Sequence, residues 1–374
     1  MTRTIDTARA GQILGRPFRI GDLALPNRIV MAPMTRKFSP GGVPDDDVVR
    51  YYARRAAEDV GLIITEGTFV GHPSAGMSDR IPRFWGDDAL AGWARVVAGV
   101  HDAGGKIIPQ LWHVGVTREA GSGPVADAPP VGPSGIGLDG APKGEALSAK
   151  DIDDVVTAFV DAAAAAQRLG FDGLELHGAH GYLIDQFLWE RTNRRTDGYG
   201  GDLESRIRFA EEIVTAVRAA VTPEFPIFFR LSQWKSENYD ARIAENPAEL
   251  ERILTPLAEA GVDVFHASTR RYWLPEFDGS ELNLAGWTKK LTGKPSITVG
   301  SVGLDKEFVG PAGRASESAV TGIEELLDRA ERDEFDLVAV GRALIADAEW
   351  ARKTLTGRSE DVLPYSVEHL SSLH

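Results

Sequence analysis

Residues Leu174 to Phe187 read LELHGAHGYLIDQF and place His177, His180 and Tyr182 within six positions, directly after an apolar run. Two imidazoles three residues apart can hold a metal, shuttle a proton or grip a carbonyl oxygen. The spacing leaves all three chemistries open. The choice depends on what else the fold brings to the same place.

Other chemistry-bearing residues also sit at the ends of apolar runs. Pro33, Met34, Thr35 and Arg36 follow one such run, and Glu66, Gly67 and Thr68 end the next. Gln110, Trp112 and His113 close a third. Arg230 stands among Phe228, Phe229 and Leu231, so its guanidinium must be bonded or paired where it is buried. The bland reading is an ion pair with Glu66 or Glu175; the sharper one is a fixed cation facing the edge of an electron-rich cofactor. Gln110 offers both a donor and an acceptor, as the alternating edge of a heterocycle requires. It could equally satisfy buried backbone groups. Gly300-Ser301 and Gly341-Arg342 end two late runs, where glycines admit close backbone approach and an arginine can bind a phosphate.

The elements that must position these residues recur regularly. The apolar runs lie at 28–33, 61–67, 106–112, 171–178, 226–232, 262–268, 295–301 and 335–342. They are continuous rather than alternating, as strands of a parallel sheet covered on both faces are. Helical periodicity occupies Asp45–Glu58, Asp87–Ala103, Ser148–Leu169, Leu203–Ala220 and Pro247–Ala260, then Leu284–Leu291, Gly322–Arg332 and Asp347–Leu355. Eight β–α units predict one (β/α)₈ TIM barrel spanning residues 1–374. Residues 1–27 are expected to form an N-terminal cover with a hairpin at Ile20-Gly21-Asp22. The Gly- and Pro-rich stretch 114–147 is expected to be a lid-like loop after strand three. In such a barrel the C-terminal strand ends carry the chemistry, and those ends hold the residues just named.

Composition narrows the classes further. A net charge of −14 argues against a nucleic-acid or anionic-membrane surface. The absence of cysteine excludes disulfides, thiolate metal sites and a cysteine nucleophile. No signal-peptide core and no long apolar span is present, so a soluble cytoplasmic protein is the expectation.

Taken in order, LPNRIVMAPMTR (25–36), GLIITE (61–66), PQLWH (109–113), ELHGAHGYL (175–183), NRRTDGYGG (193–201), FRLS (229–232) and VGR (340–342) resemble the Old Yellow Enzyme family of FMN-dependent ene-reductases. The resemblance covers nearly the whole chain. It implies non-covalent FMN, NADPH or NADH as hydride donor, small electron-poor alkenes as substrates, and a homodimer as one open assembly. It implies that Pro33, Met34 and Thr35 line the flavin, that Gly67, Gln110 and His177 contact its ring system, and that Arg230 lies near its N1. Gly300, Ser301, Gly341 and Arg342 would hold the phosphate. His177 and His180 would donate to the substrate's carbonyl oxygen, where charge develops as hydride reaches the β-carbon. Tyr182 would protonate the α-carbon, its ordinary pKa of about 10 keeping it protonated at neutral pH. Trp112, Met77 and Trp273 would line the substrate pocket. Thr35 places the chain in the threonine branch rather than the cysteine branch, and Met77 falls where some relatives have a tyrosine. No metal is implied. Two rival readings stand beside this one: a metal-dependent barrel hydrolase using His177 and His180, and a flavin-binding protein without turnover.

Overall fold

A computed structural model of the chain describes residues 7–236, 238–307 and 317–374; residues 1–6 of the expected N-terminal cover lie outside them. Eight strands close into a barrel: β1 (Ile29–Met31), β2 (Leu62–Phe69), β3 (Ile107–Trp112), β4 (Leu174–His180), β5 (Ile227–Lys235), β6 (Val264–Ser268), β7 (Ser296–Val299) and β8 (Leu337–Val340). Each strand pairs in parallel with its successor, and β8 pairs with β1. All eight predicted runs are barrel strands, and the expected (β/α)₈ architecture is the one observed.

The continuous apolar character of the strands follows from their two buried faces. One face fills the barrel: Val30, Leu62, Ile64, Ile108, Phe228, Val264, Ile297 and Leu337 form one cluster. The other face, with Ile63, Ile107, Leu176, Phe229 and Phe265, packs against helix residues such as Trp93, Phe159, Val214 and Leu254. The hairpin is present, with Phe18–Ile20 antiparallel to Leu23–Leu25 across a turn at Gly21, whose φ is 55°. Its Ile20, Leu23 and Leu25 join the interior cluster with Leu62, Val264 and Leu337, residues that begin their strands. The hairpin therefore plugs the N-terminal mouth and leaves the opposite mouth for chemistry.

Helices follow the strands at Asp46–Ala57, Asp87–Asp102, Ala149–Arg168, Leu203–Ala220, Pro247–Ala260, Leu284–Thr292 and Glu324–Glu331. The capping box expected at Ser148 forms: Asp151 N–H donates to Ser148 Oγ, and Ser148 N–H donates to the Asp151 carboxylate. The last predicted helix, Asp347–Leu355, is observed as Trp350–Thr356, and a short helix at Arg342–Ala346 precedes it. Asp347 sits between the two, where its carboxylate accepts from Glu349 N–H, Leu363 N–H and Lys353 Nζ. A helix at Thr7–Leu14 was not expected. It packs on Trp350–Thr356 so closely that a Cβ on Gly11 would stand 2.7 Å from the carbonyl oxygen of Leu355.

The stretch 114–147 contains only a short turn, Gly115–Thr117, and a pair of two-residue strands, Val131–Gly132 and Glu145–Ala146. It is organised around Arg118, which is fully buried and donates to the carbonyls of Gly76, Ser122, Val125 and Ala128. Its tip reaches the turn after β4: a Cβ on Gly181 would lie 2.8 Å from Leu138. Among the described residues no helix is long and apolar enough to cross a membrane.

Candidate active site

The end of β4 carries an aromatic cluster. The ring of His177 stacks on Trp112 of β3, with centroids 5.9 Å apart and planes 24° apart. It meets Tyr182 edge-on at 5.0 Å and His180 at 5.1 Å. Tyr182 in turn stands edge-on to Trp112 at 4.7 Å. Trp112 needs a glycine opposite it on β2, because a Cβ on Gly67 would come within 2.5 Å of the indole. That is a reason for Gly67 internal to the protein, beside the cofactor contact implied above.

The cluster is possible because the chain turns sharply between the two histidines. His180 has φ 65°, a left-handed conformation rare for a residue with a side chain. Its N–H donates to Ser232 Oγ at 2.9 Å, and its carbonyl accepts from Ser236 N–H at 3.0 Å. The register of β4 against β5 shifts at this point, between Gly178 and His180. Burial, with Arg230 and His266 adding repulsion, holds His177 far below the ordinary imidazole range. His180 is held down in the same way, first by burial and then by Arg230. Both imidazoles are therefore neutral at pH 7, each with one N–H to give.

Beneath them runs a buried polar network across β3, β4, β5 and β6. Gln110 Nε2 donates to Glu175 Oε1 at 2.7 Å, and His266 Nδ1 donates to Glu175 Oε2 at 2.7 Å. Arg230 Nη2 donates to Ser268 Oγ at 3.2 Å. Burial lowers the Arg230 pKa, with Glu175 acting the other way. The ion pair considered for Arg230 is absent among the described contacts. Glu175 is bonded to Gln110 and His266, while Glu66 accepts the backbone N–H groups of Arg36 and Lys37. Three buried nitrogens here meet no hydrogen-bond partner among the described residues: Trp112 Nε1, Arg230 Nε and His266 Nε2. Buried polar atoms without partners are rare and mark a place where a further group is accommodated.

At the far side of the mouth, β7 and β8 bring Ser301 and Arg342 together. Arg342 Nη2 donates to Ser301 Oγ at 3.3 Å, and its Nη1 donates to Ser318 Oγ at 3.2 Å. A Cβ on Gly300 would lie 2.7 Å from Thr269 Oγ1, and one on Gly341 3.4 Å from Met34 Sδ. Met34 at the end of β1 is thus a neighbour of Gly341. Pro33 is half-buried beside it and Thr35 is exposed.

Sequence reasoning missed several participants. Trp234 stacks on His180 with centroids 4.3 Å and planes 26° apart, and Ser268 Oγ lies 2.8 Å from His180 Nε2. Trp234 lies beyond the predicted end of strand five, because β5 continues to Lys235. Lys235 forms a fully buried ion pair with Asp185 at 2.7 Å. Met77 packs against the large core cluster that includes Trp112, and Trp273 stands edge-on to Tyr272. Among the described residues no group of three or more His, Asp or Glu converges as a metal site.

His177, His180, Tyr182 and Arg230 thus gather at one mouth of a closed parallel barrel. Comparison with known proteins gives the class, a flavin oxidoreductase family. Residues 14–361 match the NADH:flavin oxidoreductase / NADH oxidase family, and the chain belongs to that family, the Old Yellow Enzyme family. An NADH oxidase of Thermoanaerobacter brockii is 38% identical over 355 residues, 92% of this chain. The chain spans only 51% of the length of that relative. A structure of morphinone reductase in complex with tetrahydroNAD superposes with a TM-score of 0.79 at 31% identity, covering 96% of this chain and 93% of that one. The Old Yellow Enzyme homologue from Zymomonas mobilis gives a TM-score of 0.77 at 27% identity, with 96% of each chain covered.

The family's cofactor is FMN, with a reduced nicotinamide as hydride donor. The residues present fit that group. Gln110 is held by its nitrogen, so its oxygen is left to accept; Arg230 Nε has no partner among the described residues; and Arg342 follows Gly341 at the start of a short helix and donates to Ser301, next to Gly300.

Proposed function

We propose that this protein is an ene-reductase, which uses NADH or NADPH to reduce the C=C bond of electron-poor alkenes such as α,β-unsaturated carbonyl or nitro compounds. The observation that carries the reading is the edge-to-face pair of neutral imidazoles, His177 and His180, 5.1 Å apart, with the Tyr182 ring 5.0 Å from His177. Bound FMN would supply the redox chemistry, carrying hydride from the nicotinamide to the alkene's β-carbon.

The protein's own residues do the rest. His177 and His180 donate N–H groups to the carbonyl or nitro oxygen, which gains charge in the transition state. Neutral donors fixed in a dry site need no reorganisation as that charge appears. Tyr182 supplies the proton to the α-carbon. Its place between Trp112 and His177 holds the ring in one orientation. Trp112 forms the floor of the substrate pocket, with Met77 and Trp273 further out. Arg230 places a cation where reduction makes the cofactor more negative, and Gln110 orients its polar edge. Pro33, Met34, Thr35, Gly67 and His177 line its ring system, and Gly300, Ser301, Gly341 and Arg342 hold its phosphate. The complex of morphinone reductase with tetrahydroNAD supports a nicotinamide as the donor here. A cytoplasmic homodimer goes with this reading.

The test is direct. The purified protein should be yellow, release FMN on denaturation, and oxidise NADH or NADPH only slowly until a cyclic enone is added. A preparation that neither binds added FMN nor consumes reduced nicotinamide with the enone would sink the proposal.

A further inference from the structure

We propose that Ser268 is the positioning residue for His180: bonded to Arg230 on one side and to His180 Nε2 on the other, it fixes the imidazole as its Nδ1–H tautomer. Nδ1 is then the atom that donates to the substrate oxygen. The inference deepens the proposed function and rests on the oxygen-gripping role given there to His180.

The argument is one of donors and acceptors. Ser268 ends β6 and is buried, at 2% exposure. Its Oγ lies 3.2 Å from Arg230 Nη2 and 2.8 Å from His180 Nε2. A guanidinium only donates, so Arg230 takes a lone pair of Oγ. The hydroxyl proton then needs an acceptor, and His180 Nε2 is the partner left to it among the described residues. Were Nε2 protonated, Oγ would accept from both neighbours and its own buried O–H would be left without an acceptor, the costly outcome for a polar group away from water. Burial and Arg230 keep His180 neutral, so its single proton resides on Nδ1.

Two further contacts stop the ring from turning to escape this constraint. Trp234 lies against its face at 4.3 Å, and the indole Nε1–H donates to the Ser268 carbonyl at 3.0 Å. The backbone ties of His180 to Ser232 and Ser236 hold its left-handed φ. His177 has the opposite arrangement: Ala179 N–H donates to its Nδ1 at 3.4 Å, which leaves Nε2–H for the substrate. The two histidines therefore offer different nitrogens to one oxygen. Ser268 also links the cation assigned to the cofactor with the imidazole assigned to the substrate.

The experiment uses the FMN-loaded protein with ¹⁵N-labelled histidine and long-range ¹H–¹⁵N spectra. His180 is expected to show an unprotonated Nε2 and a protonated Nδ1. In Ser268→Ala the Nε2 should lose its hydrogen-bonded signature, and a phenol that mimics the enone oxygen should bind about tenfold more weakly, the loss of one hydrogen bond. Ser268→Thr, which keeps the hydroxyl, should restore both. A protonated Nε2 in the wild-type protein overturns the proposal, whether or not the alanine variant folds. So does an alanine variant with wild-type spectrum and phenol affinity. A wild-type protein that reduces no enone would instead strike the functional reading, because the tautomer is read without turnover.

Discussion

Glu175 holds Gln110 and His266 at the same time, one carboxylate oxygen 2.7 Å from the Gln110 amide nitrogen and the other 2.7 Å from His266 Nδ1. A single buried carboxylate therefore aligns three strands beneath the site and supplies negative charge near Arg230. Glu175→Gln removes that charge and keeps the shape. With FMN bound, the net field becomes more positive, so the midpoint potential should rise by ~30 mV, equivalent to about 1.4 kcal/mol for two electrons. Spectroelectrochemical titration measures it. An unchanged potential would place Glu175 outside the electrostatics of the cofactor.

Tyr182→Phe separates the two halves of the reaction. The phenol is assigned only to protonation of the substrate carbon, so reduction by NADH or NADPH should keep its wild-type rate in stopped flow. Oxidation by the enone should slow by roughly 10²–10⁴-fold, the usual range for a positioned acid. Equal losses in both halves would remove Tyr182 from the proton-transfer role.

His177→Ala deletes one of the two oxygen donors and the stack on Trp112. Phenol binding, followed by its charge-transfer absorbance, should weaken by roughly tenfold to a hundredfold, since a hydrogen bond to a charged oxygen is worth about 1.5–3 kcal/mol. Unaltered phenol affinity would mean a packing histidine.

Glu66 gives a pH dependence with a defined sign. Burial pushes its carboxyl up to about 7, against the pull of the Arg36 and Lys37 backbone N–H groups. The folded state thus holds this proton more tightly than the unfolded chain does. The stabilising contribution is complete below the ordinary carboxylate pKa and is lost as pH rises through about 7. Glu66→Gln should abolish that slope. Between about pH 5 and about pH 8 the stability of wild type relative to the variant should fall by roughly 2–3 kcal/mol, as read by urea denaturation. Parallel stability curves would show that Glu66 titrates normally.

Lys235 and Asp185 form an ion pair with both side chains fully buried. Lys235→Met leaves the carboxylate without its cation and should destabilise the protein by roughly 3–5 kcal/mol. Adding Asp185→Leu should recover much of that loss, because a buried pair replaced whole by apolar groups is often neutral. Asp185 also accepts from Gly181 N–H, so the single variant should loosen the turn that carries Tyr182. Thermal melts of the two variants, with phenol binding beside them, distinguish these effects.

The sequence alone determined the architecture and most of the residues that meet at the site. Eight continuous apolar runs are a local signal, since burial on both faces of a parallel strand leaves its mark residue by residue. The rule that chemistry sits at C-terminal strand ends then selected His177, Gln110, Arg230 and Arg342 before any contact was visible. Partnership was beyond its reach. Arg230 bonds Ser268 rather than either glutamate considered for it, and Glu175 pairs with a histidine ninety-one residues away. Such choices depend on side-chain reach across strands that are neighbours only once the barrel has closed. Trp234 escaped notice because its role depends on how far β5 continues beside β4, a property of the register shift at His180. The motif at 174–187 carried the residue types, and the closed barrel decided which neighbours each histidine meets.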